Sequence, residues 1–238
     1  MESVAVVHGV QSTPWRGLNS GPVAQGRPGM TGSIEVRRLA GRELEPWLEA
    51  VAALRVAVFR DWPYLYEGDP AYETEYLRAY AASAGAVVVL ALDGERVVGA
   101  STGLPLADDT LEFQRPFLDA GRPVDDVFYF GESVLLPEYR GRGLGHRFFD
   151  EREAHARASG RFRWTAFCAV DRDPADPRRP PGHRGNEAFW IGRGYVRQPG
   201  MTVRLAWPEP GDPTPTEKPL TFWLRPLAPS SQESLLAR

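Results

Sequence analysis

Between a β-type run and a helix-type run the chain reads Arg140-Gly141-Arg142-Gly143-Leu144-Gly145, three glycines and two arginines in six residues. The first N–H groups of a helix have no intrahelical partner and sit at the positive end of its dipole. Glycines let the chain turn and let a ligand come close to the backbone. Together these make an anion site suited to a pyrophosphate, with Arg140 and Arg142 adding charge. A P-loop would continue into Gly-Lys-Ser/Thr, which is absent. A dinucleotide fingerprint needs Gly-x-Gly-x-x-Gly at the first βα turn. Here the glycines stand at 141, 143 and 145, late in the chain, so both alternatives fail on spacing and context.

A strand must end before this turn and a helix must start after it. The apolar run Val127 to Leu136 supplies the strand, and Gly143 to Ala158 the helix. Upstream, residues 34–39 alternate as a half-buried strand does. Glu43 to Arg60 carries apolar residues at helical spacing, residues 62–70 form a Pro/Gly loop, and Tyr72 to Ala82 is helical again. Two β-branched runs, 86–92 and 96–101, flank Asp93-Gly94 and predict a hairpin. Leu111 to Leu118 predicts a short helix, and Phe162 to Val170 a strand buried on both faces. Asp171 to Gly185 is a Pro-rich charged loop, and a short helix from Asn186 stops at Gly194. Met201 to Trp207 and Leu220 to Leu227 read as two last strands joined by a Pro-rich linker. This order predicts α/β with a mixed sheet rather than an alternating barrel. The expected organisation is a disordered tail at 1–32, with Met30 an alternative start, a domain at 33–227, and a flexible tail at 228–238.

The turn resembles motif A of the GNAT N-acetyltransferase superfamily. Arg140, Gly143 and Gly145 match its Arg/Gln-x-x-Gly-x-Gly/Ala signature, and Pro137-Glu138-Tyr139-Arg140 matches its prelude. The order of elements from Ile34 to Leu227 matches as well. The resemblance implies an acyl-CoA N-acyltransferase fold: a mixed, mainly antiparallel sheet flanked by helices, with a splayed parallel strand pair. It implies acetyl-CoA as co-substrate, with Val134, Leu135 and Leu136 beside pantetheine. The backbone of Arg140, Gly141, Arg142, Gly143, Leu144 and Gly145 would hold the pyrophosphate, with His146 as a further donor.

The implied reaction is direct transfer of acetyl to a primary amine of a small molecule or protein. Glu132 stands where many family members keep a glutamate acting as base through water. Its apolar neighbours Phe130 and Val134 would raise its pKa by burial. The competing reading is a glutamate that hydrogen-bonds within the sheet or binds substrate. Counting back from Gly194-Tyr195 by the family spacing, the usual tyrosine acid is replaced by Trp190, while Tyr195 itself is expected in the core. Cys168 is read as an inert thiol rather than an acyl-enzyme nucleophile. For the acceptor, Trp62, Tyr64, Tyr66 and Glu67, with Asp69, join aromatic faces to carboxylates as a cation site would. The opposing reading places these aromatics in the core. Arg178, Arg179 and Arg184 would face an anionic acceptor or the nucleotide end of CoA, or only solvent. A catalytically silent CoA-binding sensor and a nucleotide-binding protein are the alternatives.

The 238 residues carry a net charge of −3, 42% hydrophobic and 25% charged residues, which offers no basic face for nucleic acid. One cysteine excludes an internal disulfide and fits a reducing cytoplasm. The four histidines show no metal-ligand spacing, so no metal is expected. No apolar run is long enough to span a bilayer, and the start lacks a signal-peptide pattern. Arginine in place of lysine (Lys218 is alone) suggests a bacterial, GC-rich gene. Exposed β edges are compatible with a homodimer.

Overall fold

The computed structural model describes residues 33–227 and the backbone of Val4 and Ala5. The expectations for the two tails and for Met30 otherwise lie outside the described residues. The strands are β1 (Val4–Ala5), β2 (Glu35–Leu39), β3 (Val87–Asp93), β4 (Arg96–Pro105), β5 (Val127–Leu135), β6 (Trp164–Val170), β7 (Val196–Glu209) and β8 (Asp212–Pro226). The helices are α1 (Leu48–Phe59), α2 (Pro70–Ala82), α3 (Leu111–Asp119), α4 (Leu144–Ala158) and α5 (Glu187–Gly192). The sheet order is β2-β3-β4-β5-β6-β8-β7, with β1 paired to β5 opposite Ser133 and Glu132. All pairs are antiparallel except β5–β6. The mixed α/β architecture expected from the element order is therefore present.

Helices cover both faces. On one face Leu90, Ala100, Tyr129 and Phe222 pack with Val51 and Val58 of α1, Leu77 of α2 and Phe117 of α3. On the other, Val89, Val98, Phe128 and Phe167 pack with Phe148 and Phe149 of α4 and Trp190 of α5. Burial on both faces explains why residues 87–92 are apolar without alternation.

Two expectations need correction. The helix read from Glu43 to Arg60 is a 3-10 helix over Gly41–Trp47 followed by α1. Pro46 has no N–H to donate and its ring crowds the preceding turn, so the α-helical ladder starts only at Leu48. The Pro-rich linker near residues 208–219 is instead the long β7–β8 hairpin, paired out to Glu209 and Asp212. Pairing of β8 with β6 begins at Leu220, and the Asp171 N–H donates to the Pro219 carbonyl just before it, so β8 residues 212–218 have β7 alone beside them.

One irregularity positions the site. Thr102 opposes Glu132, but Leu104 opposes Tyr129, so three steps of β5 face two of β4. This bulge falls at Phe130-Gly131 and reverses the phase of the strand. Tyr129 faces the α1 side and Phe130 the α4 side; beyond the bulge Val134 faces α1 and Leu135 faces α4. Gly131 is required there, since a Cβ would lie 2.1 Å from the Tyr80 hydroxyl and 2.7 Å from Thr102 Oγ1.

Candidate active site

Strands β5 and β6 pair only through Val127–Trp164, Phe128–Thr165 and Tyr129–Ala166. Beyond that β6 keeps to β8 through Val170, while β5 keeps to β4 through Leu135, so the parallel pair splays. The Leu136 N–H bonds the Val98 carbonyl at 3.0 Å, towards β4. By alternation, the backbone groups of Ser133 and Leu135 face the splay, where Val4 and Ala5 of β1 pair beside Ser133 and Glu132. Val134 and Leu135 are buried and Leu136 half-buried where β5 runs out towards the turn.

The turn itself is braced from below. The Tyr139 hydroxyl donates to Asp93 Oδ2 at 2.7 Å, tying the turn to the β3–β4 hairpin. Arg140 Nε donates to the Leu135 carbonyl at 3.2 Å, and Arg142 Nη2 to the Glu138 carbonyl at 3.0 Å. The two arginines, expected to add charge at the anion site, therefore also shape the turn. Gly141 and Gly143 have φ of 76° and 78°, and a Cβ at either would meet nothing within 4 Å. Backbone sign, not lack of room, demands glycine at these two positions. Gly143 is the N-cap of α4, no side chain caps it, and the first turn holds no acidic residue. The first N–H groups of α4 thus open onto an exposed cradle, which fits a pyrophosphate. Leu144 and Gly145 are buried beneath it, and His146 is exposed beside it. The His146 ring meets Arg193 Nη1 through Nδ1 at 3.3 Å, and its edge packs on Phe189.

Glu132 lies beyond the bulge, buried on the α1–α2 face. It is not a carboxyl isolated among apolar groups, as its sequence neighbours suggested. Arg55 of α1 reaches Glu132 through Nη1 and Glu73 of α2 through Nε. All three are at most 1% exposed. The Arg55 guanidinium lies 4.9 Å from the Phe59 ring centroid and 4.3 Å from that of Tyr76. Burial works against the Arg55 cation, but Glu73 and the surrounding phenols outweigh it and hold its pKa above the ordinary value. Two carboxylates therefore share one guanidinium, and Glu132 Oε1 keeps no hydrogen-bond partner.

The other predicted residues divide. Tyr64 and Tyr66 are core residues, 3% and 2% exposed, against Phe59, and Tyr64 also lies 6.3 Å from Trp207. They are packing rather than an open cation box. Burial and Glu73 push the Tyr66 phenol well up. Trp62 and Glu67 stay half-exposed, Trp62 edge-on to His183 and Glu67 ion-paired with Arg60. The loop at 171–185 is pinned, not free. Arg172 binds the Pro63 and Tyr64 carbonyls, and Arg172 and Arg178 both meet Glu209 beside the turn of the β7–β8 hairpin. Arg179 spends its donors on the Pro174 and His183 carbonyls of the same loop, and Arg184 is exposed. Trp190 is buried against Phe167 and Trp223. Tyr195 is buried between Thr165 and Glu153, and burial pushes its phenol up. Cys168 is buried beside the Tyr129 hydroxyl at 3.3 Å, and burial pushes its thiol up.

Sequence reading missed Arg55, Glu73 and Arg152. A signal existed for the arginines. Arg55 falls four residues after Val51, and Arg152 four after Phe148, so each sits on an otherwise apolar helical stripe. A charge there must find a buried partner.

The model of the "Acetyltransferase (GNAT) family" matches residues 51–177, just over half the chain. The chain belongs to this acetyltransferase family. Solved GNAT structures share the fold. A ribosomal-protein-alanine N-acetyltransferase from Brucella melitensis has a TM-score of 0.53 at 15% identity, covering 81% of this chain and 99% of its own. An aminoglycoside 6'-N-acetyltransferase complexed with coenzyme A has 0.52 at 14%, covering 82% and 98%. A phosphinothricin acetyltransferase from Sinorhizobium meliloti, in complex with acetyl-CoA, has 0.50 at 17%, covering 83% and 90%. No curated protein matches by sequence. Among the described residues no His/Cys/Asp/Glu group has a metal-site arrangement, and no helix is long and apolar enough to cross a membrane.

Proposed function

We propose that this GNAT protein takes acetyl-CoA as co-substrate and transfers the acetyl group directly to a primary amine. The observation that carries the donor is the splayed β5–β6 pair leading into an uncapped helix start with two left-handed glycines. Residues 134–136 would flank pantetheine, and the backbone of 140–145 would hold the pyrophosphate, with His146 at its rim. Two neighbours solved with acetyl-CoA or CoA support that donor.

Glu132 is the proposed acceptor of the amine proton, through Oε1. The Arg55–Glu73–Glu132 cluster carries one surplus negative charge, which favours an arriving cation. Trp62 and Glu67 are the proposed entrance on this side. A ping-pong route through Cys168 is disfavoured by its burial and protonated state.

A saturating ligand that binds only the folded state stabilises it by about 2.7 kcal/mol at a hundredfold excess over Kd. Acetyl-CoA is therefore expected to raise the melting temperature, and ATP or NAD not to. Thiol release is expected with some members of an amine panel and is expected to fall sharply in Glu132→Gln. No shift with acetyl-CoA would refute the donor. A shift without thiol release from any acceptor would leave a CoA-binding sensor, the reading that the missing tyrosine acid favours.

A further inference from the structure

Strands β5 and β6 part after Tyr129–Ala166, and beyond it their facing edges have no common ladder. Backbone N–H and C=O groups left unpaired inside a protein are costly, and an open strand edge is a template for a further strand. The chain supplies that strand itself. Val4–Ala5 forms β1, which pairs antiparallel with β5 as Val4–Ser133 and Ala5–Glu132. The other edge of Ser133 and Glu132 is taken by β4, so β1 pairs on the side of the splay. It also comes within 8 Å of β6, Cα to Cα, and therefore lies in the gap between the parted strands. Residues 3–7 read Ser-Val-Ala-Val-Val, a run of strand-forming type.

The edge that receives β1 is held from both faces of the sheet. Arg152 of α4 is 1% exposed. It donates through Nη1 to the Glu132 carbonyl at 2.9 Å and the Thr102 carbonyl at 3.1 Å, and through Nη2 to Ser133 Oγ at 2.8 Å. From the opposite face Arg55 holds the Glu132 carboxylate. Glu132 and Ser133 are thus fixed in place before any ligand arrives. Of the two residues whose backbone faces the splay, Leu135 already accepts from Arg140 Nε through its carbonyl, and Ser133 is the one opposite Val4.

We infer that β1 is an autoinhibitory strand: it occupies the gap that the pantetheine arm needs, and acetyl-CoA enters by displacing it. This rests on the acetyl-CoA reading above, in which the arm would run from the turn at 140–145 towards Glu132 and so along Ser133. The amides of the arm and the backbone of β1 compete for the same edge of β5. A two-residue ladder is weak, but a tethered segment acts at an effective concentration on the order of millimolar. Residues 6–34 separate β1 from β2, and at roughly 3.3–3.6 Å per extended residue that length lets β1 leave the gap with β2 in place.

The test uses the full chain and needs no acceptor. Val4→Pro removes the N–H opposite Ser133, and Ser20→Pro, outside β1, is the control. Acetyl-CoA affinity is measured by calorimetry, and amide exchange of residues 3–8 by mass spectrometry. Val4→Pro is expected to bind acetyl-CoA about tenfold more tightly than the native chain, as for a gap about nine-tenths plugged, since the apparent Kd is the intrinsic value divided by the open fraction. Residues 3–8 of the native chain are expected to exchange more slowly than those of Val4→Pro, and to lose that protection at saturating acetyl-CoA. Ser20→Pro is expected to match the native chain in both measurements. Equal affinities in the native chain and Val4→Pro, an equal gain in Ser20→Pro, or exchange of residues 3–8 unchanged by acetyl-CoA overturns the inference. Failure of both the native chain and Val4→Pro to bind acetyl-CoA overturns the acetyl-CoA reading instead.

Discussion

Replacing Arg55 by methionine is the sharpest test of the site's architecture. In the native protein Arg55 stands between Glu73 and Glu132, whose side chains have no solvent exposure. The cluster has charges of +1, −1 and −1, a net of −1; the substitution makes it −2 with no cation present. Removing one partner of a buried pair typically costs about 3–5 kcal/mol, because the remaining charge stays buried. The stacking of the guanidinium on Phe59 and Tyr76 is lost as well, though methionine keeps much of the apolar volume. For domains of about 150–250 residues, 1 kcal/mol moves Tm by roughly 2–4 °C. A fall of roughly 6–20 °C is therefore expected by circular dichroism or calorimetry. The triple variant Arg55→Met, Glu73→Gln, Glu132→Gln leaves no buried charge there and is expected to recover much of the loss. Glu132→Gln alone keeps the Arg55–Glu73 pair neutral and is expected to melt close to the native protein while losing thiol release. If Arg55→Met melts within about 2 °C of the native chain, the cluster is not the buried charge lock described above, and Glu132 must be assigned afresh.

Further outcomes follow from other parts of the molecule. Gly143→Ala meets no steric obstacle but forces a side chain into φ of 78°, so a stability loss of about 1–2 kcal/mol and weaker acetyl-CoA binding are expected; unchanged binding would show that the turn does not hold the pyrophosphate. The Cys168 thiol is expected to resist an aromatic disulfide reagent in the folded protein near pH 8 and to react fully in denaturant, since burial pushes its pKa up; rapid native labelling would reopen an acyl-cysteine route. Burial raises the Glu209 carboxyl, but hydrogen bonds from Arg178 and Arg172 outweigh this and hold its pKa below the ordinary value. A depressed folded pKa gives stability that is present above the unfolded value of about 4.3 and is lost as pH falls through the folded one. Acid titration of Glu209→Gln is therefore expected to show a shallower stability loss below about pH 4.3, with faster proteolysis of the 171–185 loop at neutral pH; identical acid profiles would refute the pinning role.

The sequence by itself determined what is local. Gly141 and Gly143 between a strand and a helix dictate a turn that leaves the first helix N–H groups unpaired, because the sign of φ and the helix start are settled within a few residues. Asp93-Gly94 between β-branched runs dictates the hairpin that Tyr139 braces, for the same reason. The tertiary structure decided where the proposed site lies. Whether Glu132 faces α1 or α4 depends on one extra residue in β5, the bulge at Phe130-Gly131, which no alternation in the sequence announces. Its partners come from α1 and α2, and the cation behind Ser133 comes from α4, so each contact exists only once the sheet has brought distant segments together. The same holds for Tyr64 and Tyr66. Their aromatic faces resemble a cation site in sequence, yet packing against Phe59 places both in the core, because burying large apolar surface is worth more than leaving it at a binding surface. A helical stripe shows that Arg55 and Arg152 are buried; only the fold shows that one has two carboxylates and the other none.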